Sequence, residues 1–160
     1  DFQAAIDLLQ SKVDDGTIRQ VTGNDYKTAM ASGEVVAAIA WSGDMLNDTK
    51  TYGYNIPESG GTLWTDNMAI PVLASHKKNA EKWMDFYYDP VNAARVAAYV
   101  NYICPVDGAQ AAMESIDPMM VNNPAIFPDD ETKARVQTFM LLSNAQQASF
   151  EEKFQALAGA

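Results

Sequence analysis

An α/β fold is predicted by two features of the pattern. Short apolar runs of strand length alternate with amphipathic helical stretches up to Pro71, and helical periodicity dominates the rest of the chain. One run, VVAAIAW at 35–41, is apolar throughout, as in a parallel strand buried on both faces.

The elements follow in order. FQAAIDLLQSKVDDG sets Phe2, Ile6, Leu9 and Val13 at helical spacing, with Gly16 as a stop. This opening, already helical, predicts a fragment or a trimmed form of something longer. IRQVT at 18–22 reads as a short strand. Asn24 is placed to cap a second helix, DYKTAMASG, which Gly33 ends. After VVAAIAW comes WSGDMLND, a βα loop leading into a short helix. Strand ends of this kind are where open α/β sheets bind ligands, so Trp41 and Asp44 occupy a favoured place, although Trp41 on a buried strand could simply be core.

TYGYNIP reads as another strand, PESGG as a turn, and TLWTDNMAIP as a further strand. In that last strand Trp64 and Asp66 would share one face, being two residues apart. A core face rejects an unpaired carboxylate, and a solvent face has no use for an indole. A site for an organic cation suits both. Asn79 is expected to cap AEKWMDFYYD, with Ala80, Trp83, Met84 and Tyr87 on one face and Trp83 in the core. Pro90 begins the next helix, along which Ala93, Val96, Ala97 and Val100 continue the stripe. NYICPVDG is an extended crossing segment, and its Tyr102 either caps a core or lines a cleft. QAAMES, ETKARVQTFMLL and, behind a Ser143 cap, NAQQASFEEKFQALAG complete the helices.

The 160 residues, 48% hydrophobic and 20% charged, suffice for one ordinary core. A net charge of −10, with Lys and Arg scattered, argues against nucleic acid. It suits either a cationic partner or solubility alone. No apolar run approaches the roughly 20 residues of a membrane helix. The single cysteine, Cys104, reads as a buried structural thiol, and the single histidine, His76, as a surface residue. No metal-ligand spacing or nucleophile–base constellation is present, so neither a metal, a cofactor nor an enzyme is expected. What remains is a kit for an alkylammonium solute: carboxylates for charge-assisted hydrogen bonds, and aromatic faces for methylenes and cations. Trp41, Asp44, Trp64, Asp66 and Tyr102 make that kit.

AIAWSGDM, GGTLWTDNMAIP and AEKWMDFYYDPVNAARVAAYVNYICPVDGA resemble the C-terminal half of bacterial polyamine-binding proteins. These are the spermidine/putrescine-binding subunits of ABC importers, with a type II periplasmic-binding-protein fold. The resemblance implies the C-terminal portion of a two-lobed, hinge-crossing protein that lacks its N-terminal half. Residues 1–65 would belong to the second lobe, 66–105 would return to the first, and 106–160 would come back to the second. Asp66 would pair with a ligand ammonium, while Trp41, Trp64 and Tyr102 pack its methylenes. Asp44 would hold another ammonium or remain a loop cap. Gly60 and Gly61 would let the backbone approach the ligand or the turn. Where spermidine-type members carry a Gln, the nearest residue here is Met140, which weakens spermidine against a shorter diamine.

The partners implied are a small cationic solute, a membrane permease, and an N-terminal half or second protomer that completes the fold. The location implied is the periplasm, or the outer surface of a Gram-positive cell through a lipid anchor. Competing readings are another amine-bearing solute such as γ-aminobutyrate, an enzyme or sensor on the same fold, and a structural fragment with no independent binding.

Overall fold

The computed structural model describes residues 2–46 and 51–159. The chain divides into two compact units, one of residues up to Ala40 together with those from Met140, the other Trp41–Phe139.

The first unit is helical. Helix α1 (Phe2–Asp14) half-buries the predicted stripe of Phe2, Ile6, Leu9 and Val13. It ends at Gly16, whose φ of 78° is the left-handed conformation that glycine adopts without a Cβ penalty. Helix α2 (Tyr26–Ala31) buries Tyr26 and Ala29, and Gly33 closes it at φ 77°. Asp25, not Asn24, stands at its N-cap, and in helical backbone it makes no side-chain cap bond. Helix α8 (Asn144–Ala158) starts with the predicted Ser143 cap. Gln146 N–H donates to the serine hydroxyl, and Ser143 N–H donates back to Gln146 Oε1 at 3.0 Å, a reciprocal capping box. The α1 and α8 helices meet through a stack of Phe2 on Phe150, with ring centroids 3.8 Å apart, and a hydrogen bond from Lys153 Nζ to Gln3 Oε1.

The two strands predicted in this region do not form. Residues 19–22 are irregular, and so are 37–40, with Val36 98% and Ile39 102% exposed. A strand gains burial only from neighbours that flank and cover it. Among the described residues no strand pairs with 35–41, and residues 36–39 and 41 are exposed, with Val35 and Ala40 half-buried.

The second unit holds helix α3 (Ser42–Leu46), strand β1 (Gly61–Leu63), helices α4 (Lys77–Tyr88), α5 (Pro90–Val100) and α6 (Ala109–Met113), a 3₁₀ turn at Pro118–Met120, helix α7 (Asp130–Arg135) and strand β2 (Val136–Thr138). Asn47 and Asp48, the end of the predicted loop helix, lie outside the described residues. The core is built where α5 meets α6: Ala93, Ala94, Ala97, Ala109, Met113 and Ile126 are buried. Alanines bring the helix backbones close, and Met113 and Ile126, both fully buried, fill the space between them. Burying each of those larger side chains is worth about 1.5–3 kcal/mol. Helix α5 begins at Pro90 as predicted, and Asp89 caps it. Asp89 accepts from the N–H groups of Val91 and Asn92 at 3.0 and 3.1 Å, and Pro90 fills the first turn.

Strands β1 and β2 pair in parallel, Gly61 opposite Val136 and Leu63 opposite Thr138. TYGYNIP forms no strand, and TLWTDNMAIP is strand only as far as Leu63. The predicted helix ETKARVQTFMLL breaks after Arg135, where the β-branched Val136 and Thr138 join the ladder instead. Helix α4 begins at Lys77 behind His76, not behind Asn79. Its inner face is Ala80, Met84 and Tyr87, each half-buried, whereas Trp83 lies at the rim, 67% exposed and stacked on Phe86. Cys104 is half-buried rather than buried. Gly60 needs φ 106°, and a Cβ there would sit 2.8 Å from the Arg135 carbonyl oxygen. The glycine pair therefore serves the turn into β1.

Candidate functional site

Three of the expected side chains converge in the second unit. Trp41 directly precedes α3, Trp64 directly follows β1, and Tyr102 follows the cap of α5. The ring centroids of Trp41 and Trp64 are 5.3 Å apart with planes at 82°. Those of Trp64 and Tyr102 are 5.7 Å apart at 64°. Trp64 thus links the other two in a chain of edge-to-face contacts, each worth about 0.5–1.5 kcal/mol beyond area burial. Trp41 stays 45% exposed, so the cluster opens to solvent instead of forming part of the core.

Local structure fixes each member. Asn101 ends α5 in the left-handed conformation (φ 57°), buried, with its N–H on the Ala97 carbonyl at 2.9 Å. Two residues past Tyr102, the Cys104 N–H donates to the Ile126 carbonyl at 3.0 Å. Tyr102 is thereby held between two backbone anchors. Asp44 lies in the first turn of α3. Burial pushes the Tyr102 phenol above its ordinary range, and the negative field of Asp44, joined by Tyr54 once that phenol ionises, pushes it further. A phenol in that setting stays protonated and keeps its donor at neutral pH. The field that penalises tyrosinate also attracts a cation.

Asp66 lies in the exposed stretch 65–69 beyond the end of β1, where Asn67 Nδ2 bonds the Thr65 carbonyl at 3.2 Å. The shared strand face expected for Trp64 and Asp66 is absent, because neither residue is in a strand. Two residues went unrecognised in the sequence. Tyr54 acts on Tyr102, and Gly43 packs beneath it. The aromatic pair in TYGYN was a signal for the first, whereas a glycine in a polar loop gives none for the second.

Other features bear on chemistry. An open groove of about 300 Å³ on the α4–α5 face is lined by Met68, Trp83, Phe86, Tyr87, Asn92, Arg95 and Val96. Among the described residues no cluster of three His, Cys, Asp or Glu side chains is placed to hold a metal, and no helix is long and apolar enough to cross a membrane.

Trp41, Trp64 and Tyr102 thus form a chain of ring contacts, with Asp44 acting on the Tyr102 phenol. The chain belongs to the bacterial extracellular solute-binding protein family, whose model matches residues 1–128. This family binds solutes and is not one of enzymes. The chain is 28% identical over 143 residues to the putrescine/agmatine-binding protein of Pseudomonas aeruginosa, covering 84% of this chain and 38% of that protein. It is 30% identical over 129 residues to the spermidine/putrescine-binding periplasmic protein of Salmonella typhimurium, covering 78% of this chain and 36% of that one. With a putrescine-binding periplasmic protein of Escherichia coli K12 it shares 24% identity over 130 residues, 76% of this chain and 34% of the relative. The chain thus spans less than two fifths of the length of these relatives. No solved structure matched the chain significantly.

Proposed function

We propose that this chain is part of the solute-binding component of an ABC importer and contributes one wall of a polyamine site. The observation that supports the reading is the chain of rings from Trp41 through Trp64 to Tyr102, with Asp44 close enough to act on the phenol. A polymethylene chain lies along such rings with little desolvation cost, and each terminal ammonium is drawn to a ring face by about 0.5–2 kcal/mol. Asp44 and Asp66 supply the carboxylates for the two ammonium groups. Their hydrogen bonds are charge-assisted, and a fixed separation between them would select the ligand's length.

Residues 1–65 and 106–160 are assigned to one lobe and 66–105 to the other, with the ligand held between the lobes. The remainder of a relative-length protein, or a second protomer, supplies the opposing wall, and lobe closure presents the loaded protein to a membrane permease. The location that goes with this role is the periplasm, or the outer face of a cell to which a lipid holds it. The names of the relatives favour putrescine or spermidine, and Met140 in place of a glutamine favours the diamine. A ligand with a carboxylate, such as γ-aminobutyrate, would ask for an arginine. Arg19 pairs with Glu34 at 3.1 Å, Arg135 donates to the Ile56 carbonyl, and Arg95 lines the α4–α5 groove.

The test is a tryptophan-fluorescence titration with putrescine, spermidine and γ-aminobutyrate at low and moderate salt. The expected result is a saturable response to a diamine that weakens with salt. Asp66→Asn should abolish it without moving the melting temperature. A folded chain that answers to none of the three solutes overturns this wall as a binding surface in its own right. A response to γ-aminobutyrate alone overturns the polyamine assignment.

A further inference from the structure

Gly43 sits in the first turn of α3, buried, between Trp41 and Asp44. A Cβ at this position would lie 2.6 Å from Tyr102 Cε2, 2.7 Å from Tyr102 Cζ and 2.6 Å from the Val100 carbonyl oxygen. Real Cβ atoms do not approach other atoms so closely. The backbone of α3 therefore rests directly on the Tyr102 ring and on the last carbonyl of α5.

We propose that Gly43 is the positioning residue of the aromatic cluster: its missing side chain is the seat that sets Tyr102 against Trp64 and beside Asp44. The proposal rests on the reading of the cluster as ligand-lining, but its geometry stands without any ligand.

Two arguments carry it. First, the contact cannot be relieved cheaply. The Val100 carbonyl is backbone, and the segment that follows it is held by the buried left-handed Asn101 on one side and by the Cys104–Ile126 hydrogen bond on the other. A side chain at 43 must therefore lift α3 as a whole, carrying Trp41 and Asp44 with it, or turn Tyr102 out of its place. Second, the glycine is not required by local conformation. Gly43 is helical and is not among the glycines with positive φ. Alanine is the better helix former, so by propensity alone Gly43→Ala would strengthen α3. Any loss on substitution reports the packing against Tyr102 and Val100, opposite in sign to the helical preference.

The role differs from general structural support in what it moves. Trp41 and Trp64 are close enough for their indole transitions to couple, giving a paired circular-dichroism band that depends on their mutual orientation. Tyr102 has its own signature, an ionisation displaced to higher pH. Neither belongs to the helices that dominate the far-ultraviolet spectrum.

The experiment compares Gly43→Ala with wild type and with Gly23→Ala, a glycine that has open space around it. Gly43→Ala is expected to keep the helical spectrum, to lose most of the coupled indole band, and to return the displaced tyrosine titration towards its ordinary range. Gly23→Ala should change neither. A folded Gly43→Ala protein with the indole band and tyrosine titration of wild type overturns the proposal.

Melting temperatures in the Tyr102→Ala background keep the test decisive if the single variant folds poorly. Removing the ring should shrink the penalty of Gly43→Ala, or restore folding where the single variant has none. An equal penalty with and without the ring overturns the assignment. If the cluster is disrupted while diamine binding is unchanged, the positioning role stands and the ligand-lining reading falls.

Discussion

The Arg135 guanidinium reaches back across the chain and donates from Nη1 to the Ile56 carbonyl at 3.2 Å. This bond ties the end of α7 to the turn that enters β1, next to the point where Gly61 and Val136 pair. It therefore tethers the residue before Val136 to the segment that leads into β1, the strand that delivers Trp64. Arg135→Ala should cost roughly 1.5–3 kcal/mol, the range for a hydrogen bond with a charged partner. Urea unfolding followed by fluorescence measures it, and a loss within error of zero would show that water replaces the guanidinium freely.

Gly60 is the complementary requirement. Its φ of 106° is closed to ordinary side chains, and the Arg135 carbonyl occupies the space a Cβ would need. Gly60→Ala is expected to destabilise by about 1–3 kcal/mol through backbone strain alone. An unchanged unfolding midpoint would mean that the turn relaxes without cost.

Asp44 and Tyr102 share one electrostatic environment. With Asp44→Asn the carboxylate field vanishes, and the phenol should ionise at lower pH than in wild type. It should remain above the ordinary tyrosine value, because burial is the larger cause of its displacement. Absorbance titration against a Tyr102→Phe reference reads the shift. An unmoved titration would show that Asp44 lies too far from the phenol to act on it, and would remove it from the site.

Burial also pushes the Cys104 thiol up, with a smaller opposing pull from a backbone bond at Val106. The folded thiol therefore loses its proton at higher pH than the unfolded one. Below the unfolded value both states hold the proton, and the contribution to stability is complete. As pH rises towards the folded value the unfolded chain holds fewer protons, and that contribution is lost. Urea unfolding at neutral and mildly alkaline pH should show a fall in wild type that is smaller in Cys104→Ala. Parallel pH dependences in the two proteins would contradict this.

The caps of α5 and α8 are each worth about 1 kcal/mol, so Asp89→Ala and Ser143→Ala should lower stability by that amount. Hydrogen exchange would place the change at the first turn of each helix, and protection there equal to wild type would argue against the caps.

These caps also explain which parts of the fold were readable from the chain. Asp89 before Pro90, Ser143 three residues before Gln146, and Gly16 and Gly33 after apolar stripes are local signals, and each marks a helix end in the structure. Strands carry no such local guarantee. VVAAIAW has the composition of a buried strand, but burial depends on neighbours distant in sequence, and residues 37–40 are irregular. Val136 to Thr138 went the other way, drawn from a helical pattern into pairing with Gly61 to Leu63. Trp83 fits a core stripe by spacing, although α4 is too narrowly covered to bury it. At the site, Trp41 stood out at a strand end and Tyr102 before a crossing segment, whereas Trp64 stood out through a strand face shared with Asp66 that does not form. Gly43 did not, since a glycine that makes room for a ring in a distant loop leaves no trace in spacing.

The exposed run at 35–41 has a consequence for handling the protein. It is seven residues without a charge or a proline, rich in β-branched side chains, with Val36 and Ile39 fully in solvent. Segments of that composition stack between molecules as paired strands. Glu34, held by Arg19, is the charge that borders it on one side, and the uncharged Ser42 follows it on the other. Concentrated solutions should therefore self-associate through this segment, and a lysine at Ile39 would act as the gatekeeper that the sequence lacks.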